Sequence, residues 1–171
     1  RDRIMQAARV EFARYGYQDA TVEHVVREAG VARGSFYTYF SSKHDLFRHL
    51  AGVIDRSIAE EVVKSDGLRK SNPIENLSIS NQMYLAVVKR NYDLYVLVDG
   101  VASFDHGVRD ARIASRKKHI GRVAKKIQQW QEMGWAAADV NAELTAALLV
   151  SMTATFSRWL YVGEPSFNEK E

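Results

Sequence analysis

At 171 residues the chain is long enough for one ordinary domain, or for a small head on a larger body, and either would bury a real apolar core. It contains no Cys, which excludes disulfides, zinc fingers and thiolate chemistry and leaves five His and the carboxylates as the available side-chain metal ligands. A formal net charge of +3 and a pI near 9.1 agree with a nucleic-acid partner but are too mild to argue for one without a motif.

Apolar residues recur at helical spacing and Pro occurs only at Pro73 and Pro165, so the sequence predicts an all-α fold. Ile4, Ala8 and Phe12, with Met5 beside them, form the stripe of a first helix that stops near Tyr15-Gly16. Thr21 is a good N-cap for a second, two-turn helix from Val22 to Ala29, closed by Gly30. A third short helix runs from Arg33 to Tyr39. Ser41 or Ser42 then caps a fourth, which carries Leu46, Phe47, Leu50, Ile54, Ile58 and Val62 and connects head to body. Ser65 to Pro73 interrupts the periodicity and marks the best internal boundary, with Pro73 suited to the first turn of the next helix. Further helices are expected from Ile74 to Arg90, Tyr92 to Phe104, Asp105 to Met133 and Asp139 to Val162, with Gly134 and Gly163 as stops and a polar tail from Glu164 to Glu171.

Two short helices separated by Ala29-Gly30-Val31-Ala32 have the spacing of a helix-turn-helix, in which a tight turn sets the second helix for entry into the major groove. The composition of the third helix sharpens that reading. Phe36 and Phe40 lie four apart and can face the core, which leaves Arg33, Ser35, Tyr37, Thr38, Tyr39 and Lys43 facing outward. So much exposed aromatic surface on so short a helix is poorly explained by self-burial. Arg33, Ser35 and Thr38 are the candidates for reading base edges, because Arg bonds guanine bidentately and short hydroxyls suit either partner.

Over its first 46 residues the sequence resembles the TetR family of repressors. The matching residues are Ile4, Ala7-Ala8, Phe12, Gly16-Tyr17, Thr21-Val22, Ala29-Gly30-Val31, Gly34, Phe36-Tyr37, Phe40, Ser42-Lys43 and Leu46. The resemblance implies a three-helix DNA-binding head over residues 1–46 and a helical ligand-binding and dimerisation domain over 47–171. It places Gly34 at a small position where backbone approaches DNA, and Thr21, Tyr37 and Lys43 at positions that grip phosphate, with Tyr39 where the family often carries His. Two departures stand out. Ala32 replaces the family's Ser or Thr, removing a side-chain N-cap. The family's last amphipathic helix, which completes a four-helix dimer interface, has no counterpart before Glu171, so the homodimer is expected through 139–162 plus that missing helix. The chain also starts without Met, which leaves either end open to further residues.

The implied protein is a dimeric regulator, a repressor by family expectation, that binds a palindromic operator in double-stranded DNA. A small apolar or amphipathic effector, bound in the body, would release it by moving the connector, Ser42 to Lys64. Candidate pocket residues are Met83, Tyr84, Val87, Tyr92, Tyr95, Phe104, Trp130, Met152 and Phe156, although Met and aromatics at helical spacing are more often plain core. The segment Arg109 to Lys126 holds eight basic residues against Asp110 alone, suiting a solvated helix face, a second nucleic-acid contact or an anionic ligand. No catalytic motif, metal-ligand spacing or cofactor loop occurs, so neither enzyme activity, metal nor cofactor is expected. No leader opens the sequence, and the apolar stretch Leu144 to Val162 is broken by Thr145, Ser151, Thr153, Thr155, Ser157 and Arg158. A soluble, cytoplasmic protein without a membrane partner is expected. A helical adaptor without DNA binding is the competing reading. It would share the association helix but would not need Thr21, Gly34, Tyr37 and Lys43 together.

Overall fold

The first helix, α1 (Asp2–Asp19), follows from its stripe: Ile4, Ala7, Ala8 and Phe12 are buried in the computed structural model. Gly16 interrupts helical geometry inside that span, at φ 73 and ψ 168, a conformation that a side chain would strain, and it turns Tyr17 back onto the head. Next come α2 (Val22–Ala29), α3 (Arg33–Tyr39) and α4 (Lys43–Gly67). The Ser42 hydroxyl caps α4 by accepting from the Asp45 N–H at 3.0 Å, while Asp45 accepts from the Ser41 N–H at 2.9 Å. The remainder is α5 (Pro73–Arg90), α6 (Tyr92–Ala102), α7 (His106–Glu132) and α8 (Ala142–Val162). Pro73 opens α5 as expected. The structure describes residues 1–67 and 72–162, excluding the side chains of 61–67 and 162, and contains no strand among them. The expected stop at Gly163 and the tail after it lie outside the described residues, as do residues 68–71 of the expected boundary, while α4 continues to Gly67, past the expected interruption at Ser65. α8 begins three residues after the expected Asp139 because the Asn141 carboxamide accepts from the Leu144 N–H at 2.9 Å and caps the helix there.

Packing divides the chain into two compact units, Arg1–Ile58 with Asn91–Asp110, and Ala59–Arg90 with Ala111–Glu171. These units cut across the functional division expected at residue 46. In the first, Phe12, Phe36, Phe40, Phe47, Leu46 and Val25 are fully buried. Burying a Phe side chain stabilises by about 1.5–3 kcal/mol, so these rings supply much of what holds three short helices together. Polar bonds tie α6 to α1. Arg9 donates from Nε to Asp93 at 2.6 Å and from Nη1 to Asn91 Oδ1 at 3.3 Å, and its Nη2 also pairs with Asp93. At the start of α4, His44 Nδ1 lies 3.3 Å from the Tyr17 hydroxyl and 3.4 Å from Asp105, and Asp105 also caps α7 by accepting from the Val108 N–H. Burial first, and then the Asp105 charge, push the Tyr17 phenol above its ordinary range.

The Arg9 hydrogen bonds hold the Asp93 carboxyl below the usual carboxylate range, against an opposing push from burial. A depressed folded-state pKa means that this stabilisation is complete above the unfolded value of about 3.9 and is lost as pH falls through the folded value. Asp93→Asn therefore lowers the melting temperature at neutral pH and flattens its fall on acidification. Melting curves from pH 2 to 7 are the check, and parallel wild-type and variant profiles would rule the pair out as a contributor.

In the second unit, Ala124, Ile127 and Trp130 of α7 and Ala142 and Ala146 of α8 form a core joined by Leu77 of α5, with Ile120, Val123, Ala136 and Leu149 packed around it. The Tyr161 hydroxyl donates to the Leu85 carbonyl at 3.4 Å, joining α8 to α5. The turn before α8 is closed by Gln131 Nε2, which donates to the Ala137 and Val140 carbonyls at 2.8 Å each. The opposite face of α8 is apolar and uncovered: Leu144, Leu148, Met152 and Trp159 are each about three-fifths or more exposed, and Phe156 lies between them. No helix among the described residues is long and apolar enough to cross a membrane.

Candidate nucleic-acid interface

α2 starts with a capping box. The Thr21 Oγ1 accepts from the His24 N–H at 3.2 Å, and His24 Nδ1 accepts from the Thr21 N–H at 3.4 Å. The Thr21 hydroxyl proton remains available to donate outward. Gly30 ends α2 in the left-handed region at φ 61, with its N–H directed at the Arg27 and Val26 carbonyls. Arg3 closes the same end, its Nη2 donating to the Ala29 carbonyl at 2.8 Å. This turn sets α3 at its angle to α2.

α3 begins without a side-chain cap at Ala32, as the sequence implied. Phe36 is fully buried and Phe40, just beyond the helix, nearly so, while Tyr37 and Tyr39 stand about half exposed. Arg33, Gly34, Ser35 and Thr38 are exposed on the same short helix, so the predicted face is assembled. Thr38 Oγ1 donates to the Gly34 carbonyl at 3.1 Å, and a Cβ built on Gly34 would meet nothing within 4 Å. Nothing among the described residues requires glycine there.

Arg33 has partners that sequence reasoning missed. Its Nη1 pairs with Glu23 of α2 at 2.5 Å, and the guanidinium lies 5.8 Å from the Tyr37 ring, with Nη2 3.5 Å from the phenol oxygen. The Tyr37 bond, then the Glu23 charge, raise its pKa further. Pairing across the turn depends on the angle between α2 and α3, which residue spacing does not encode.

Lys43, expected on phosphate, directs its ammonium to the carbonyls of Tyr17, Gln18 and Ala20 at 2.8, 2.9 and 2.8 Å. Three donors meet three acceptors, so a phosphate contact requires giving up one of these bonds. Its pKa is lowered, chiefly by burial. Lys43→Met leaves the three carbonyls without that donor and loosens the turn that presents Thr21. The expected result is a melting temperature lower by about 5 °C, the size of a ~1 kcal/mol loss in a small domain. A melt equal to wild type, together with a salt dependence of DNA binding reduced by about one ion, would place Lys43 on phosphate instead.

The candidate pocket residues fall in both compact units. Tyr92, Tyr95 and Phe104 belong to the first, where Tyr95 is buried and the Phe104 ring, half exposed, is 6.4 Å from that of Tyr17. Val87 and Trp130 are buried in the second, Met83 and Tyr84 are partly buried, and Met152 and Phe156 lie on the exposed stripe of α8. Among the described residues no cluster of His, Asp and Glu could hold a metal ion.

A left-handed glycine turn between two short helices, with the second turning its polar and aromatic residues outward, defines a helix-turn-helix DNA-binding head. Residues 4–50 match the model of the family described as bacterial regulatory proteins, tetR family. Over its length the chain is 28% identical to the HTH-type transcriptional regulator HbdR of Aromatoleum sp. (strain CIB), across 99% of this chain and 74% of HbdR. A 68-residue stretch is 40% identical to the HTH-type transcriptional repressor AcnR of Corynebacterium diphtheriae, covering 40% of this chain and 35% of AcnR. The fold superposes on the TetR family transcriptional regulator PfmR from Thermus thermophilus with a TM-score of 0.76 at 22% identity, over 96% of this chain and 89% of that one. Residues 4–50 thus match the N-terminal model of the tetR family, and the chain as a whole is similar to HTH-type transcriptional regulators.

Proposed function

We propose that the protein is a repressor that binds a palindromic operator as a homodimer and leaves it when a small apolar or amphipathic effector binds in the domain formed by residues 47–171. The observation that carries the reading is the outward face of α3: exposed Arg33, Ser35, Tyr37, Thr38 and Tyr39 around a Gly34 that has open space before it. On DNA, Gly34 permits close backbone approach, and Arg33 exchanges Glu23 for a base edge, with Ser35 and Thr38 beside it. Thr21, Tyr37 and Tyr39 donate to phosphates, with Lys43 shaping the turn behind Thr21. The exposed face of α8 supports association with a second copy, because an apolar stripe of that length is ordinarily covered. The similarity of a 68-residue stretch to AcnR, itself a repressor, supports the direction of control. The reading places the protein in the cytoplasm, where its operator is.

A salt titration of binding to genomic fragments, beginning with the region flanking the protein's own gene, tests this. Tight binding to one palindromic fragment with a steep loss as salt rises is expected. Uniformly weak binding to all fragments would overturn it.

A further inference from the structure

The basic segment of α7 is not one solvated face. Arg116, Lys117, Lys118 and Lys125 are exposed, while Arg109 donates to the Ala102 and Ser103 carbonyls at 3.0 and 2.7 Å and so caps α6. Arg122 differs from all of these. Its Nε is buried and donates to no group, and no carboxylate pairs with its guanidinium among the described residues. What it reaches is His119, Nη2 to Nδ1 at 3.3 Å, and the His119 ring in turn lies 6.4 Å from that of Tyr84 on α5. The flanking Ile120, Val123, Ala124 and Ile127 belong to the apolar packing of the second unit.

A guanidinium is charged at every accessible pH, and one placed against an apolar wall is ordinarily matched by a carboxylate, because the desolvation penalty is otherwise uncompensated. Here the neighbour is an imidazole instead. Burial, and then the Arg122 charge, lower the His119 pKa, so the ring is neutral near pH 7 and Nδ1 accepts from Arg122. A neutral imidazole satisfies one N–H and leaves the positive charge uncancelled. Nε with an adjacent Nη is the edge that a carboxylate or phosphate bridges in a fork.

We propose that Arg122, with His119 and Tyr84 beside it, receives the anionic group, carboxylate or phosphate, of an amphipathic effector whose apolar part lies against the α5–α7 wall. This rests on the reading that an effector binds in residues 47–171 and adds the chemistry of its head group. The exposed cations of α7 raise the local concentration of such an anion. Trp130 lies about two turns further along the helix, with its buried Nε1 also meeting no acceptor, and serves as an optical reporter.

The test titrates tryptophan fluorescence of the full chain with decanol, decanoate and decyl phosphate, using wild type and Arg122→Met. One of the two anions should bind wild type at least ~10-fold tighter than decanol, and which one identifies the head group. Arg122→Met should lower that affinity to the decanol level, leave decanol binding unchanged and melt no lower than wild type, since it removes a half-buried charge that no carboxylate among the described residues compensates. The site is overturned if decanol binds as tightly as both anions, if the variant keeps the preference, or if it melts more than about 5 °C lower, which marks a structural arginine. Repeating the titrations on the operator complex separates this from the broader reading. Anion binding through Arg122 that leaves the complex intact keeps the site and removes the effector role. Equal release from wild type and variant keeps an effector role and removes the site.

Discussion

Gly34→Leu keeps the head folded and loses the operator. The backbone at Gly34 is ordinary helix and a Cβ there meets nothing within 4 Å, so the side chain enters open space. Leu favours helix over Gly by about 0.5–1 kcal/mol, so the melting temperature holds or rises. On DNA the same side chain stands where backbone must approach, and operator affinity should fall by at least ~100-fold, corresponding to about 2.7 kcal/mol. Gly34→Ala should give a smaller loss. Thermal melts and operator titrations on the same preparations decide it. Wild-type affinity in the Leu variant would mean that this face of α3 does not lie against DNA, whereas loss of both folding and binding would make Gly34 structural.

Leu148→Lys is expected to separate the proposed dimer. Leu148 is 63% exposed in the single chain, within a stripe made with Leu144, Met152, Phe156 and Trp159 at helical spacing. In a two-fold interface one substitution acts twice, and here it places two ammonium groups in an apolar contact. The mass in sedimentation should fall to the 19.4 kDa of one chain with helical content unchanged. Operator affinity should fall by about 10²–10³-fold, because each head then binds its half-site without the other's effective concentration. Leu148→Met, which keeps the apolar contact, should stay dimeric. A dimeric Leu148→Lys variant would move the interface off α8.

Much of the architecture was legible because its signals are local. The Thr21 cap and the Gly30 stop act within a few residues of themselves and each produced the helix boundary expected of it, whereas the helix of Ile4, Ala8 and Phe12, expected to stop near Gly16, kinks there and runs on to Asp19. Phe36 and Phe40 were legible as core by their spacing, and with them the outward set from Arg33 to Tyr39. The His24 half of the capping box has a signal in Thr21-Val22-Glu23-His24, where His stands at the position that Glu or Gln ordinarily fills. The pocket candidates were less legible. Helical spacing says that Met152 and Phe156 share a face of α8 but not whether α8 turns that face inward, and the structure leaves it exposed.

The sequence alone determined most of the helices, the head's core and the composition of the exposed face of α3, because capping, periodicity and glycine stops operate over three or four residues. Tertiary structure decided which charges meet. It brought Arg9 of α1 to Asp93 of α6, Glu23 across the turn to Arg33, and Lys43 to the end of α1, and it left Arg122 facing an imidazole instead of a carboxylate. The physical reason is range. An ion pair forms only within about 4 Å, and which of the chain's charged side chains come that close depends on how whole helices cross, set by packing residues distant in sequence.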